Sequence, residues 1–212
     1  MSSHHFVREG QEPALLILQY TGFSYEYLGH LLEWAPTVIS CGRALADVLA
    51  LGIKTDWALY APTDEASYEK ALGEQEPVRR IVLGEHEFLG TALRLLREEQ
   101  CGAVNIVTTE DQLYEVAQQA LVHASGMRVV VYTPNYRTSL MLGPTFRKWL
   151  PAGSHIRIGV LSEPAHFASR GFDNDGQMGQ DGMILRVAQT GMVEVTCFGS
   201  PFLVSEWIGV ES

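Results

Sequence analysis

The side chains best suited to chemistry are acidic and imidazole groups at short spacing, and the chemistry they suggest is metal binding. Glu85-His86-Glu87 sets two carboxylates and an imidazole in a row, donors that suit a transition metal. Adjacent residues seldom point at one ion, however, and acids in a first helical turn also complement the helix dipole. Asp64-Glu65 is a second acidic pair with the same two readings. Asp173-Asn174-Asp175-Gly176 opens like a calcium loop, but the twelfth position is Ile184 where such a loop needs glutamate. The stretch from Gly171 to Gly182 therefore reads as an exposed loop of turn formers. His123, His155 and His166 are scattered and show no metal spacing, and His4 and His5 fall in a predicted N-terminal tail. Cys41, Cys101 and Cys197 are odd in number and lack CxxC spacing, so they read as free thiols. Glycine-rich phosphate loops and a serine nucleophile elbow are absent from the sequence.

The elements that position these groups alternate between strand and helix. Pro36 to Ser67 reads as strand, helix, strand and turn. Ala44, Leu45, Val48, Leu49 and Leu51 supply the helical period and Gly52 a left-handed stop. Ala14–Leu18, Thr37–Ile39, Asp56–Leu59, Val78–Leu83, Ala103–Val107 and Met127–Tyr132 are predicted strands. Ser24 is predicted to cap a helix reaching Trp34, and Thr63 one running through Leu72. Glu85–Gln100 is predicted helical, and Thr109 with Gln112 has capping-box spacing for a helix to Ala124. This alternation argues an α/β domain with a Rossmann-like parallel sheet over residues 1–135. From residue 136 onward, Pro and Gly punctuate short runs such as Met183–Ala188, Val193–Phe198 and Phe202–Trp207. They imply a smaller C-terminal β domain over 136–212, anchored by Trp149 and Trp207 or using them in a dimer contact.

The net charge of −10 opposes non-specific binding to nucleic acid or anionic lipid. No apolar run approaches the roughly 18 residues of a membrane span, and the opening residues lack a secretory core. A cytoplasmic protein is the expectation.

The register VIxxxxALxxVLxLGIKxD, with MSSHHFVREGQEPALLI before it and AVNIV and FRKWLPAG after it, resembles the thiamine pyrophosphokinases, in particular a Bacteroidetes-type form. The resemblance implies an α/β domain joined to a thiamine-binding β-sandwich, a homodimer, and Mg²⁺-dependent transfer of a pyrophosphoryl group from ATP to thiamine. Set against that family, its Gly-Asp-Phe-Asp turn falls on Tyr60, Ala61, Pro62 and Thr63. A loop aspartate falls on Gly42, and an Asn-Gly pair on Gln19-Tyr20. Its Lys-Thr-Asp segment falls on His86-Glu87-Phe88, its Arg-x-Asp-His segment on Leu113 to Val116, and a Ser-Asn pair near thiamine on Asp175-Gly176.

In an open parallel sheet, ligands collect beyond the carboxyl ends of the strands. The expected crevice is therefore made of Gln19, Tyr20, Gly42, Tyr60, Ala61, Thr63, Asp64, Glu85, Glu87, Phe88 and Glu115, plugged by Tyr20, Tyr60 and Phe88. Mg·ATP needs inner-sphere carboxylates and basic groups for its phosphates. With the acidic positions replaced, the expectation is a catalytically inactive relative, with no catalytic residue and no metal, kept for binding an unidentified small ligand or a partner. The alternative is an active kinase using ATP and Mg²⁺ through a site rebuilt from Asp64, Glu85, Glu87 and Glu115.

Overall fold

A computed structural model describes residues 12–34, 36–161, 166–173, 177–179, 182–199 and 201–209. The opening segment of the resemblance falls largely, and the Asp175-Gly176 position wholly, outside the described residues, as do His4 and His5. The chain divides between Val129 and Val130 into two units.

In the first unit, strands β1 (Ala14–Ile17), β2 (Val38–Cys41), β3 (Trp57–Tyr60), β4 (Arg79–Val82) and β5 (Ala103–Val107) form a parallel sheet in the order β5-β1-β2-β3-β4. Every residue of β1, β2 and β3 is buried, which explains why they read as largely apolar runs without alternation, Ser40 of β2 being the polar exception. β4 departs from this. It is the edge strand of this sheet, Arg79, Arg80 and Val82 are exposed, and its two arginines mark an edge protected by charge.

The helices are α1 (Tyr25–Leu32), α2 (Gly42–Ala50), α3 (Glu65–Gly73), α4 (Phe88–Glu98) and α5 (Leu113–His123). Ser24 caps α1 as expected, its Oγ accepting from the Tyr27 amide at 3.3 Å. Gly52 takes φ +70° after α2, the left-handed stop that the sequence marked. Two predicted caps do not form. Pro62–Asp64 winds as a 3₁₀ turn, so α3 begins at Glu65, and the Thr63 hydroxyl bonds Asp64 at 3.4 Å instead of capping. Gln112 stands at the cap position of α5 without a capping bond, and its Oε1 accepts from Thr108 at 2.8 Å. Glu85–Glu87 is likewise a 3₁₀ turn ahead of α4, closed by Glu87 Oε2 accepting from the Gly84 amide at 3.2 Å. Phe88, Leu89, Ala92, Leu93 and Leu96 are the buried residues of α4, one face at helical spacing.

Polar groups inside the sheet are matched. Thr55, fully buried, donates to Trp57 O at 3.0 Å and lies 3.1 Å from Ser40 Oγ, and Asp56 Oδ2 accepts from the Val38 amide at 2.8 Å. These bonds lock the entry of β3 to β2.

The second unit takes up β6 (Arg128–Tyr132) near its start and continues with β7 (Tyr136–Met141), β8 (Thr145–Leu150), β9 (His155–Val160), β10 (His166–Arg170), β11 (Gln177–Gly179), β12 (Gly182–Arg186), β13 (Gly191–Phe198) and β14 (Phe202–Trp207). Antiparallel pairing orders them β11-β12-β9-β14-β7-β6, with a separate three-stranded sheet β10-β13-β8. Phe146 and Leu150 of β8, Val193 and Val195 of β13, Ile156 and Ile158 of β9, and Phe202 and Val204 of β14 share one apolar cluster, so both sheets contribute to a single core. The expected loop from Gly171 to Gly182 is in part a hairpin. Met178 pairs with Met183, Phe172 bridges Val187, and β-pairing satisfies backbone groups that turn-forming residue types had suggested would face water.

Candidate functional site

At the carboxyl ends of β1 and β2 the first unit holds a cavity of about 400 Å³. Each wall follows from how a strand hands over to the next element. The amides of Leu18 and Gln19 both donate to Val107 O, at 2.9 and 3.3 Å, fixing the exit of β1 and bringing Leu18 and Gln19 to the rim. β2 passes into α2 with no linker. That junction requires Gly42 at φ +50°, and the Tyr68 hydroxyl holds it by donating to Gly42 O at 3.1 Å. A Cβ at Gly42 would lie 3.0 Å from Phe88 Cε2, so the ring of Phe88 fills the space that the missing side chain leaves.

Cys41, 1% exposed, borders the cavity beneath Gly42, and burial pushes its thiol well above the usual range. It stays protonated at neutral pH and so presents no thiolate to the cavity. Arg43, exposed in the first turn of α2, brings a guanidinium to the opening and makes no ion pair or side-chain hydrogen bond among the described residues. The opposite wall is one face of α5. Gln112, Glu115, Val116 and Gln119 recur at helical spacing, and Gln119 donates to Glu115 Oε1 at 3.2 Å. Glu85 and His86 enter from the turn before α4.

The structure thus brings together five of the expected crevice residues: Gln19, Gly42, Glu85, Phe88 and Glu115. Six do not line the cavity. Tyr60 is 2% exposed and packs with Leu45, Ala58 and Leu72, its ring 5.7 Å from that of Tyr68. Ala61, Thr63 and Asp64 turn into α3, Glu87 is engaged with the Gly84 amide, and Tyr20 lies against Phe23 at 6.4 Å. The expected aromatic plug is overturned, because Tyr60 points into the core and Phe88 forms a wall. Arg43, Gln112 and Gln119 are lining residues that the sequence reading missed. The spacing along α5 was there to be read, but nothing in the sequence showed which face of α5 meets β1 and β2.

The four acids of the rebuilt site do not all line this cavity. Of Asp64, Glu85, Glu87 and Glu115, only Glu85 and Glu115 face this cavity, and no group of three or more His, Cys, Asp or Glu among the described residues is placed to hold a metal ion. The cavity's charged groups are one arginine and two carboxylates, with His86 beside them and three glutamines as neutral donors and acceptors. Such a set suits hydrogen-bonded recognition of a small polar molecule.

No family model and no curated protein sequence matches this chain. Solved structures do. Thiamine pyrophosphokinase from Bacillus subtilis superposes with a TM-score of 0.67 at 10% identity, over 93% of this chain and 100% of that one. Thiamin pyrophosphokinase from Geobacillus thermodenitrificans gives 0.67 at 13% identity, over 94% and 98%. The Candida albicans enzyme gives 0.66 at 12%, over 94% and 91%. At such identities the likeness is one of backbone, and the chain has the fold of the thiamine pyrophosphokinases.

Proposed function

We propose that this chain is a thiamine pyrophosphokinase-like protein that keeps the scaffold and has lost pyrophosphoryl transfer, its crevice now serving a different small polar ligand. One observation carries the reading: beyond the strand ends lies an open cavity walled by Arg43, Gln19, Gln112 and Gln119, while the turn after β3 offers Tyr60-Ala61-Pro62-Thr63 where a magnesium site would need acids. The cavity's two carboxylates, Glu85 and Glu115, come from the turn before α4 and from α5, and neither stands in the turn after β3 where the resemblance puts the metal-binding acids. In this reading residues 1–135 correspond to the catalytic domain of the kinases and 136–212 to their thiamine-binding β-sandwich, and the protein is a cytoplasmic homodimer. No helix among the described residues is long and apolar enough to cross a membrane.

The test is direct. Purified protein is incubated with ATP, thiamine and Mg²⁺, and thiamine diphosphate is measured against a heat-inactivated control. The expected result is no product above control. Turnover abolished by Glu85→Gln or Glu115→Gln would establish the active alternative and overturn the proposal. A thermal-shift screen of small polar metabolites, with Arg43→Gln as the comparison, then reads the binding role through mass action on the folded state.

A further inference from the structure

The second unit holds a cavity of about 600 Å³ that the crevice reading leaves unused. Its wall is one end of the β7–β14–β9 ladder. Tyr136 and Trp207 are register partners across β7 and β14, with ring centroids 5.1 Å apart and planes at 82°. Arg157 of β9 is the register partner of Ser205 and lays its guanidinium 4.3 Å from the centre of the Tyr136 ring. Ser205, 3% exposed, accepts from the Thr138 hydroxyl at 2.9 Å and keeps its own proton to donate.

The indole is held in place and still offers surface. A Cβ at Gly209 would fall 2.7 Å from the Trp207 ring, so the ring rests where glycine leaves room, and the amides of Ile208 and Gly209 both donate to Asn135 O. Trp207 is nevertheless 46% exposed. Pre-set aromatic surface of this kind costs little entropy when a flat ring stacks on it.

Charge decides which ring. Glu206 is the carboxylate of the lining, and two cations meet it: Arg137 at 2.8 Å and Lys148. Arg157 makes no ion pair among the described residues, and His155 stands at the same rim. Glu206 is thus already engaged by cations, and Arg157 is left as the lining cation with no carboxylate on it among the described residues. An arginine fork beside an indole face selects a planar group with an anionic substituent, and an unpaired guanidinium disfavours a cationic ring.

We propose that this cavity binds a planar aromatic anion, a ring bearing a carboxylate or a phosphate, with the ring on Trp207 and the anionic group on Arg157. The site lies wholly in the second unit and does not depend on the fate of the crevice.

Isothermal titration with 1-naphthoate, 1-naphthyl phosphate, neutral 1-naphthol and inorganic phosphate tests it. At least one of the two anionic rings binds, and naphthol and inorganic phosphate each bind at least about tenfold more weakly, the scale of one charge-assisted hydrogen bond. The tighter of the two anions identifies the carboxylate or the phosphate as the natural substituent. Arg157→Gln lowers the affinity for the anionic rings by about tenfold and leaves naphthol unchanged, whereas Trp207→Ala weakens every naphthyl probe. Circular dichroism checks that each variant folds, and Arg157→Lys, which retains charge without the planar fork, replaces the glutamine variant if that one does not. Failure of both anionic rings to bind at millimolar concentration, naphthol binding as tightly as the anions, or affinities unchanged in both variants overturns the proposal.

Discussion

Replacing Gly42 by alanine tests whether the crevice floor has any place for a side chain. Two costs follow from the structure. The residue sits at φ +50°, where a Cβ costs an L-residue about 1–2 kcal/mol. The new Cβ would also stand 3.0 Å from Phe88 Cε2, and Phe88 is only 6% exposed, so its ring must give by a few tenths of an ångström against packed neighbours, at about 0.5–1.5 kcal/mol. Together these predict a loss of about 1.5–3.5 kcal/mol, or a fall in Tm of roughly 3–14 °C for a chain of this size. Two other glycines separate the terms. Gly52 has φ +70° but no atom within 4 Å of where a Cβ would stand, so Gly52→Ala carries the backbone cost alone; Gly102 has neither feature, and Gly102→Ala costs nothing measurable. Urea denaturation of the three variants, followed by far-ultraviolet circular dichroism, gives the comparison. Equal destabilisation by Gly42→Ala and Gly52→Ala would refute the claim that Phe88 closes this position to the acidic residue expected there from the kinases.

Two other outcomes are expected. Burial raises the Cys41 pKa in the folded protein, so the folded state keeps a proton that the unfolded state releases; this stability is complete below the unfolded pKa and is lost as pH rises above about 8.5. Its contribution falls by about 1.4 kcal/mol per pH unit, and denaturation of wild type and Cys41→Ala between pH 8 and 10 should show the difference between the two proteins narrowing; a constant difference would contradict the burial argument. Thr55→Val removes the hydroxyl beside Ser40 in a fully buried site, and the loss should be about 1–3 kcal/mol by urea denaturation, with Ser40→Ala in the same background restoring part of it. No recovery in the double variant would mean that the two hydroxyls are not coupled.

The parallel α/β unit was legible in the sequence, because β1, β2 and β3 are buried on both faces and such strands are written as dominantly apolar runs between helices, with Ser40 as the one polar residue among them. The sequence also determined that the turn after β3 has no acid at Tyr60 to Thr63, since residue identity needs no coordinates. The caps of α3 and α5 were decided by the fold: 3₁₀ turns and the Thr108–Gln112 bond compete for the same polar groups, and local spacing cannot rank those competitors. Tertiary structure alone sent Tyr60 into the core, left Phe88 as a wall, and set Arg43 and the glutamines of α5 around one cavity. A site is a convergence of strand ends and helix faces far apart in the chain, so which side chains share it depends on packing directions that no local pattern records.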